Sequence, residues 1–476
     1  MFGFLLAYIF SDIFGALVLF YRLEPFYSVF IYHSGIALPA TLSAGQMLTF
    51  WLVAIGSPFI MIAAFFATFF PTSRKLRRPG PPEYGYDPPF WIVLLVFGVL
   101  VYFAARSLEQ AGAFDLLGTW GNYADLVEAR WGLFATLSFF EFANFYQFIP
   151  VVAIVALLVG LEQRGWGRVV GLVCAFVAVL IGVMIFQKKA VLITMLMLAL
   201  ALMVRSYFVD PKRVARLVGL AGASLLALAL VFFTASVVPT LTSQQSTVGN
   251  ASNTTQKVDF VEEWRKRSAE IAASGGSVAD ASATAELDLL AAQVLEQAAQ
   301  NEFRNNPLIV AIVNLTMRTS VPAVYYIAVF PDLHPYYSLD LGQDIIGIGA
   351  MPNDNFIVWN QMYPEMPGVV AAPFNFVLFS QGGLWVVMAM SAITGLVLGV
   401  IWALILRSSG SMAVRAAIGA VVVVGTMHLA LDALRNSVIV SYGFAWGLMP
   451  LLVLLLIGRV AGRRRKERAG TVALSE

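Results

Sequence analysis

Long apolar runs recur along the chain and constrain its fold more than any other feature. A helix needs about 20 mostly apolar residues to cross the hydrocarbon core of a bilayer. Runs close to that length lie at residues 4–22, 47–70, 90–106, 134–160, 168–186, 189–206, 216–238, 384–405, 413–430 and 437–458. Hydrophobic residues make up 59% of the chain and charged residues 12%, against roughly 45–50% and 25% in soluble domains. The sequence therefore predicts an all-α polytopic membrane protein with about ten transmembrane helices.

Composition also excludes several classes of protein. A mean hydropathy of +0.79 excludes a soluble enzyme and a disordered chain. Thirty basic residues nearly balance 28 acidic ones, so a nucleic-acid binder is not expected. The single Cys174 allows no intrachain disulfide, and the three histidines make a His-based metal site improbable. The sequence contains no Walker A loop, and no cofactor is expected.

The charges of the loops predict the orientation of the spans. Lys and Arg concentrate in cytoplasmic loops, and basic groups mark residues 74–78, 164–168, 205–216 and 407–415 and the tail from Arg463. Residues 331–370 contain five acidic side chains and no Lys or Arg. A further apolar stretch at 308–330 contains Arg318, and these assignments agree only if it does not cross. We therefore predict ten crossings, with both termini cytoplasmic and the 308–330 helix interfacial or re-entrant.

This topology divides the chain into four parts. A seven-span bundle at 1–239, retained without signal cleavage, precedes an external helical region at 240–370. A three-span bundle at 371–460 and a basic cytoplasmic tail at 461–476 follow. Within the external region Leu287, Leu290, Val294 and Ala298 recur at helical spacing, which indicates an amphipathic helix. We interpret this helix as a lid over the membrane domain.

Four basic residues at the predicted external face are candidates for binding an anion. Lys188 and Lys189 lie in a short external turn, Arg318 in the ambiguous helix, and Arg435 in the turn between the last two spans. Arg suits phosphate because its planar guanidinium offers five donors. The alternatives are a solvated lysine turn, structural pairing of Arg318 with an Asp, and a surface pair of Arg435 with Asp432.

Three residues are candidates for moving a proton. Glu141 lies among aromatics in the outer part of the fourth span, where a buried carboxylate needs a basic partner or stays protonated. Asp354 lies in a polar stretch of Asn and Asp residues that is equally typical of a turn. His428 lies one helical turn before Asp432. Asp12, in the first span, is a similar carboxylate, which also needs a basic partner or stays protonated.

A pattern after the external region resembles the bacterial oligosaccharide repeat-unit polymerases of the Wzy type. Pro367-Gly368-Val369-Val370-Ala371-Ala372-Pro373 is followed by Gly382-Gly383-Leu384-Trp385 and then by Gly395 and Gly399. The resemblance covers about 310–400, and an Arg of the preceding external helix in that family corresponds to Arg318. Ten spans with the largest external loop between the seventh and eighth also resemble O-antigen ligases and SEDS polymerases, which share the C-type glycosyltransferase organisation. Those proteins more often have an arginine where this chain has Lys188-Lys189.

The resemblance implies glycosyl transfer between two undecaprenyl-pyrophosphate-linked glycans at the periplasmic face of the bacterial inner membrane. Cations would stabilise the departing phosphate, for which Arg318, Lys188, Lys189 and Arg435 are candidates. A carboxylate or imidazole would take the proton of the attacking hydroxyl, for which Glu141, Asp354 and His428 compete. No metal is obligatory, and a chain-length-regulating copolymerase is the implied partner. An O-antigen ligase, a lipid-linked oligosaccharide flippase and a structural membrane component remain the alternatives.

Overall fold

The computed structural model describes most of the membrane-spanning part of the chain. The described residues are 1–34, 42–75, 87–114, 137–163, 165–185, 188–209, 302–337, 354–362, 370–407, 411–434, 437 and 444–473. Within them the secondary structure is helical, and no strand occurs in these ranges. The predicted span at 216–238 and the predicted lid helix lie outside them. An all-helical membrane fold is therefore confirmed for the part of the chain that can be compared.

Fifteen α-helices can be named in the described ranges. In the N-terminal half they are α1 (Phe2–Tyr8), α2 (Phe14–Tyr21), α3 (Phe26–Ser34), α4 (Ala44–Trp51), α5 (Ser57–Lys75), α6 (Phe90–Gln110), α7 (Phe139–Ala143), α8 (Ile149–Glu162), α9 (Trp166–Met184) and α10 (Lys188–Val209). Those that follow are α11 (Pro307–Val329), α12 (Asp354–Met362), α13 (Phe374–Arg407), α14 (Met412–His428) and α15 (Phe444–Ala473). Turns of π-helix at Ile9–Ile13, Leu52–Gly56 and Asn144–Phe148 join α1 to α2, α4 to α5 and α7 to α8.

Six helices of the described residues are long and apolar enough to cross a membrane. They are Ala44–Arg74, Phe90–Gln110, Phe140–Glu162, Trp166–Met184, Leu308–Val329 and Phe374–Leu406. Shorter apolar helices overlap four more of the predicted spans, at Ile9–Tyr21, Ala190–Ser206, Met412–His428 and Ala445–Gly458. Large side chains such as Trp91, Trp166 and Trp385 are exposed on the outer faces, as expected for surfaces in contact with lipid.

The helices α5 and α13 pack against each other in the same direction. Ser57 Oγ lies 2.7 Å from Ser391 Oγ, and further along the two helices Gly395 faces Met61 and Gly399 faces Phe65. A Cβ atom at either glycine would clash with the α5 backbone carbonyl opposite it. These glycines therefore allow close approach of two helices, as small residues do in membrane bundles. A parallel pair is what the loop charges predict for the second and eighth spans.

Chain segments with the same predicted sidedness meet at one end of the bundle. Arg205 at the end of α10 forms an ion pair with Glu162 at the end of α8, with 3.2 Å between Nη2 and Oε1. Asp87, just before α6, accepts hydrogen bonds from the hydroxyl of Ser411 and, at 3.2 Å, the backbone N–H of Ala413. These contacts join the ends of the second, fourth, sixth and eighth predicted loops, which the charges assign to the cytoplasm. We refer to this as the inner end, and to the opposite one as the outer end.

The stretch predicted not to cross forms α11, and it packs inside the bundle. Its middle lies against the middle of the first helix, where Ser320 Oγ donates to the Ser11 carbonyl at 2.5 Å. Gly15 permits this approach, because a Cβ there would clash with Ser320. Its far end lies beside the start of α4, since Gln46 Nε2 donates to Asp332 Oδ2 at 2.8 Å. A position at the membrane–water interface does not fit this packing. The total of ten crossings stays a prediction.

Candidate functional site

Asp354 is the centre of a buried polar cluster at the outer end. It is the first residue of α12, not part of an open turn, and its residue surface is 3% exposed. Tyr326 Oη donates to its Oδ2 at 3.1 Å and Ser380 Oγ donates to the same oxygen at 2.9 Å. Tyr326 belongs to α11 and Ser380 to the first turns of α13, and both are fully buried. Three helices thus converge on one carboxyl group.

A break in α13 positions Ser380 for this contact. The backbone leaves the helical region at Gly382 and Gly383, which separates residues 374–381 from the long helix that follows. Gly383 has φ 68° and ψ −160°, a conformation that essentially only glycine adopts. A Cβ at Gly383 would also lie 3.1 Å from the ring of Tyr336. The Gly-Gly pair found in the sequence therefore has a local structural role beside Asp354.

Aromatic side chains form a wall beside the Asp354 cluster. The backbone N–H of Tyr337 donates to the Ser380 carbonyl at 2.8 Å. The Tyr337 ring stacks on His334, with 5.0 Å between the ring centroids, and Tyr336 packs edge-on against Phe379. Burial raises the pKa of the Tyr337 hydroxyl, and the negative charge of Asp354 raises it further. The wall is thus electrostatically coupled to the buried carboxyl group.

The end of α14 approaches the same cluster. His428 is the last residue of that helix and is 4% exposed. The next residue, Leu429, accepts a hydrogen bond at 3.2 Å from the backbone N–H of Phe374, at the start of α13. Asp432 lies close enough to Tyr326 for the two side chains to interact electrostatically. The structure therefore brings the region of His428 and Asp432 to the side of Asp354.

Arg318 lies on the same helix as Tyr326 but on another face. Eight residues separate the two, about 12 Å along a helix axis. Its side chain is exposed, whereas the neighbouring Met317, Thr319 and Ser320 are buried. Arg318 forms no ion pair with the residues that the structure describes. The alternative role of Arg318, structural pairing with an Asp, is therefore not seen within those residues, and the guanidinium is exposed at the surface of the bundle.

Glu141 lies in α7, and its hydrogen-bond partners belong to elements other than those that hold Asp354. It accepts hydrogen bonds from the backbone N–H and the hydroxyl of Ser138, at 2.7 Å and 2.6 Å, and from Ser107 Oγ at 2.5 Å. Ser138 and Glu141 together form a capping box at the start of α7, which satisfies free N–H groups of the helix. Hydroxyl and amide donors therefore stabilise this carboxylate, in place of the basic partner or the bound proton that the sequence left open.

Three of the predicted basic residues cannot be placed at the cluster. Lys188 and Lys189 begin α10, and their side chains lie outside the described part of the chain. Arg435 lies outside the described residues as well. Within those residues no group of three or more His, Cys, Asp and Glu side chains is arranged to hold a metal ion.

Sequence reasoning selected Asp354, His428 and Arg318 but missed Tyr326 and Ser380. Tyr326 lies in an apolar run, where a tyrosine is ordinarily one more packed aromatic residue. Ser380 could have been suspected because it lies two residues before the Gly-Gly pair, where a break would expose it. No protein-family model, no curated protein and no solved structure matches the chain.

Proposed function

We propose that this protein polymerises undecaprenyl-pyrophosphate-linked oligosaccharide repeat units into surface polysaccharide at the periplasmic face of the bacterial inner membrane. Both termini would then lie in the cytoplasm, and the outer end of the bundle would face the periplasm. The resemblance of residues 310–400 to Wzy-type polymerases supports the proposal. The observation that carries it is the buried Asp354 cluster, which lies within that stretch and at the outer end.

Asp354 is the best candidate for the group that takes the proton from the attacking sugar hydroxyl. Two hydroxyl donors on Oδ2 fix the orientation of its carboxyl group, and a positioned base typically contributes about 100- to 10,000-fold to the rate. His428 is a second candidate, because the end of α14 reaches the same cluster. Glu141 fits the role less well, since three donors and a helix cap already occupy its carboxylate.

Arg318 is the best placed candidate for binding the pyrophosphate of the lipid carrier. Its guanidinium is exposed although the helix around it is buried, and arginine binds phosphate oxygens through two parallel hydrogen bonds. Lys188, Lys189 and Arg435 remain candidates for the same role. Lipid pyrophosphate is already a good leaving group, so the transfer needs no metal ion or organic cofactor. A chain-length-regulating copolymerase remains the expected protein partner.

The proposal is tested by the length profile of surface polysaccharide, separated on a gel, in a strain that lacks the gene. We expect collapse to a single repeat unit on its final acceptor. Long chains held on the lipid carrier outside the membrane would instead show an O-antigen ligase. Single repeats trapped inside would show a flippase.

Complementation of that strain with variants tests the role of Asp354. Asp354→Asn keeps the shape of the side chain but cannot accept the proton, so we expect chain extension to fall by about two orders of magnitude or more. Ser380→Ala removes one hydroxyl donor to Asp354 and should reduce extension less, by about tenfold. Asp332→Asn is the matched control, because this exposed carboxylate at the same end bonds only to Gln46 among the described residues. Chains of normal length from Asp354→Asn, at equal protein levels, would contradict the assignment.

A further inference from the structure

The first helix contains a buried carboxyl group that the proposed reaction does not use. Asp12 lies near the middle of Phe2–Tyr21, within the π-helical turn Ile9–Ile13, and is 2% exposed. About 15 Å of helix separates it from each end of this segment. Ionisable residues within membrane helices are rare, and each is by default a candidate functional site.

The short contacts around Asp12 fit a protonated carboxyl group. Ser11 Oγ is 2.7 Å from Asp12 Oδ2 and 2.8 Å from the backbone carbonyl of Ala7. The single proton of this hydroxyl group is either shared between the two oxygens in a bifurcated contact or donated to one of them alone. Both short contacts are satisfied if Ser11 donates to Ala7 and the carboxyl group of Asp12 donates to Ser11. That arrangement requires Asp12 to be a protonated, neutral acid.

The residues facing Asp12 supply no compensating charge within the described part of the chain. The hydroxyl groups of Ser11 and Thr319 interact with its carboxyl group, but no ion pair with Asp12 occurs there. The titratable side chains of the elements packed against it are Tyr8 on α1, the exposed Tyr21 on α2, and Arg318, Tyr325 and Tyr326 on α11. Of these only Arg318 is charged at neutral pH, and its side chain is exposed. An ionised Asp12 would therefore be a buried, uncompensated charge.

The same turn holds α11 in place. Ser320 Oγ lies 2.5 Å from the Ser11 carbonyl, 3.4 Å from the Asp12 carbonyl and 2.8 Å from that of Thr316. Tyr326, two turns further along α11, donates to Asp354. On the other side Tyr8 accepts a hydrogen bond from Asn375 Nδ2 at 2.7 Å, at the start of α13. The neighbourhood of Asp12 thus contacts both helices that hold the Asp354 carboxyl group.

We propose that Asp12 is a proton-binding site inside the membrane domain, and that its bound proton keeps α11 packed on the first helix. Loss of the proton places a negative charge between the first helix and α11, where Arg318, the cation on α11 among the described residues, has an exposed side chain. Solvation of that charge requires water to enter between α11 and the first helix. The proposal rests on these contacts alone and does not depend on the proposed polymerase reaction.

Infrared spectroscopy of the full-length protein in lipid nanodiscs tests the proton directly. A protonated carboxylic acid has a carbonyl stretching band at higher frequency than a carboxylate, and the band shifts in heavy water. We expect such a band at neutral pH, lost in Asp12→Asn and kept in Asp332→Asn. An unchanged spectrum in Asp12→Asn would overturn the proposal.

A second variant covers the case in which Asp12→Asn does not fold. Ser11→Ala removes the acceptor of the proposed bond, so the Asp12 band should move to higher frequency but not disappear. A band that does not move would overturn the assignment. Replacing choline chloride by sodium chloride should leave the band unchanged, whereas its loss in sodium would assign the site to a monovalent cation instead.

Hydrogen exchange tests the second half of the proposal. At an alkaline pH at which the infrared band has disappeared, amides of α11 near Ser320 should exchange faster in the natural protein than in Asp12→Asn at the same pH. At neutral pH the two proteins should exchange alike. Equal exchange at both pH values would show that the proton does not hold α11.

Discussion

Two helix interfaces in this protein are formed by different kinds of residue. Between α5 and α13, glycines and small side chains bring two backbones together, and the hydroxyl groups of Ser57 and Ser391 form a hydrogen bond across the interface. Around α11, hydroxyls and carboxyl groups face the first helix, α12 and the start of α13. The comparison separates what holds the bundle together from what can react. Lipid tails give helices no hydrophobic reason to associate, so close packing has to hold the bundle.

Two glycine pairs of one sequence pattern have different structural roles. Gly382-Gly383 and Gly395-Gly399 both belong to the stretch that resembles Wzy-type polymerases. The second pair serves packing, because a Cβ atom at either position would clash with the backbone of α5. The first pair breaks α13 beside Asp354. Short glycine motifs of this kind therefore carry functional information only where the break itself shapes a polar cluster.

The largest effect is expected from a substitution that disrupts the packing between α5 and α13. Gly395→Leu has to push α13 away from the Met61 carbonyl, and overpacking of a buried side chain alone costs about 1–3 kcal/mol. We expect loss of most folded protein, measured as the monodisperse fraction after detergent extraction. Gly98→Leu is the control, since Gly98 has open space around it and faces outward on α6. Equal yields of the two variants would show that the interface does not limit folding.

An intermediate effect is expected where the chain breaks beside Asp354. Gly383→Ala forces a side chain into a backbone region that costs about 1–3 kcal/mol and against the Tyr336 ring. Folded protein should still accumulate, but with a lower melting temperature and shorter polysaccharide in the complementation assay. Combining it with Tyr336→Ala should recover the part of the loss that comes from the ring contact. If the double variant melts no higher than Gly383→Ala alone, strain in the backbone accounts for the whole effect.

The smallest effect concerns the polar pair within the packed interface. Ser57→Ala removes one buried hydrogen bond between neutral groups, which contributes about 0.5–1.5 kcal/mol. We expect a slightly lower melting temperature and polysaccharide of normal length. Ser57→Ala combined with Ser391→Ala should be no worse than either single variant, because the pair is removed together. A change in chain length in these variants would show that the two interfaces are coupled.

Hydropathy predicted the helices well because a lipid environment leaves a buried chain few alternatives. The run at 90–106 corresponds to Phe90–Gln110, and the run at 168–186 to Trp166–Met184. The run at 384–405 missed the ten residues from Phe374, since hydropathy does not register a helix that continues through a glycine break. Whether the stretch at 308–330 crosses the membrane was harder to predict. Loop charge requires an odd number of crossings between α10 and α13, and α11 alone satisfies that count as well as 216–238 does.

The surroundings of the candidate reactive side chains were less predictable than the positions of the helices. Asp354 could be selected because carboxylates are scarce in this chain, but its partners could not, since their neighbours in the sequence are apolar. Glu141 seemed equally suitable until Ser138 and Ser107 proved to occupy it. A sequence shows which polar groups are present, whereas their reactivity depends on donors brought from distant helices.

The parallel packing of α5 and α13 has a consequence for how the protein is made. The two helices are separated by about 300 residues, so α5 enters the membrane long before its partner has been synthesised. Until then its small-residue face has only lipid or other early helices to contact. Contacts between distant parts of a chain form late, and the intermediates that wait for them are prone to misassembly. A ribosome stalled before residue 374 should therefore leave a bundle that is inserted but open along α5, a state that membrane quality-control proteases can recognise.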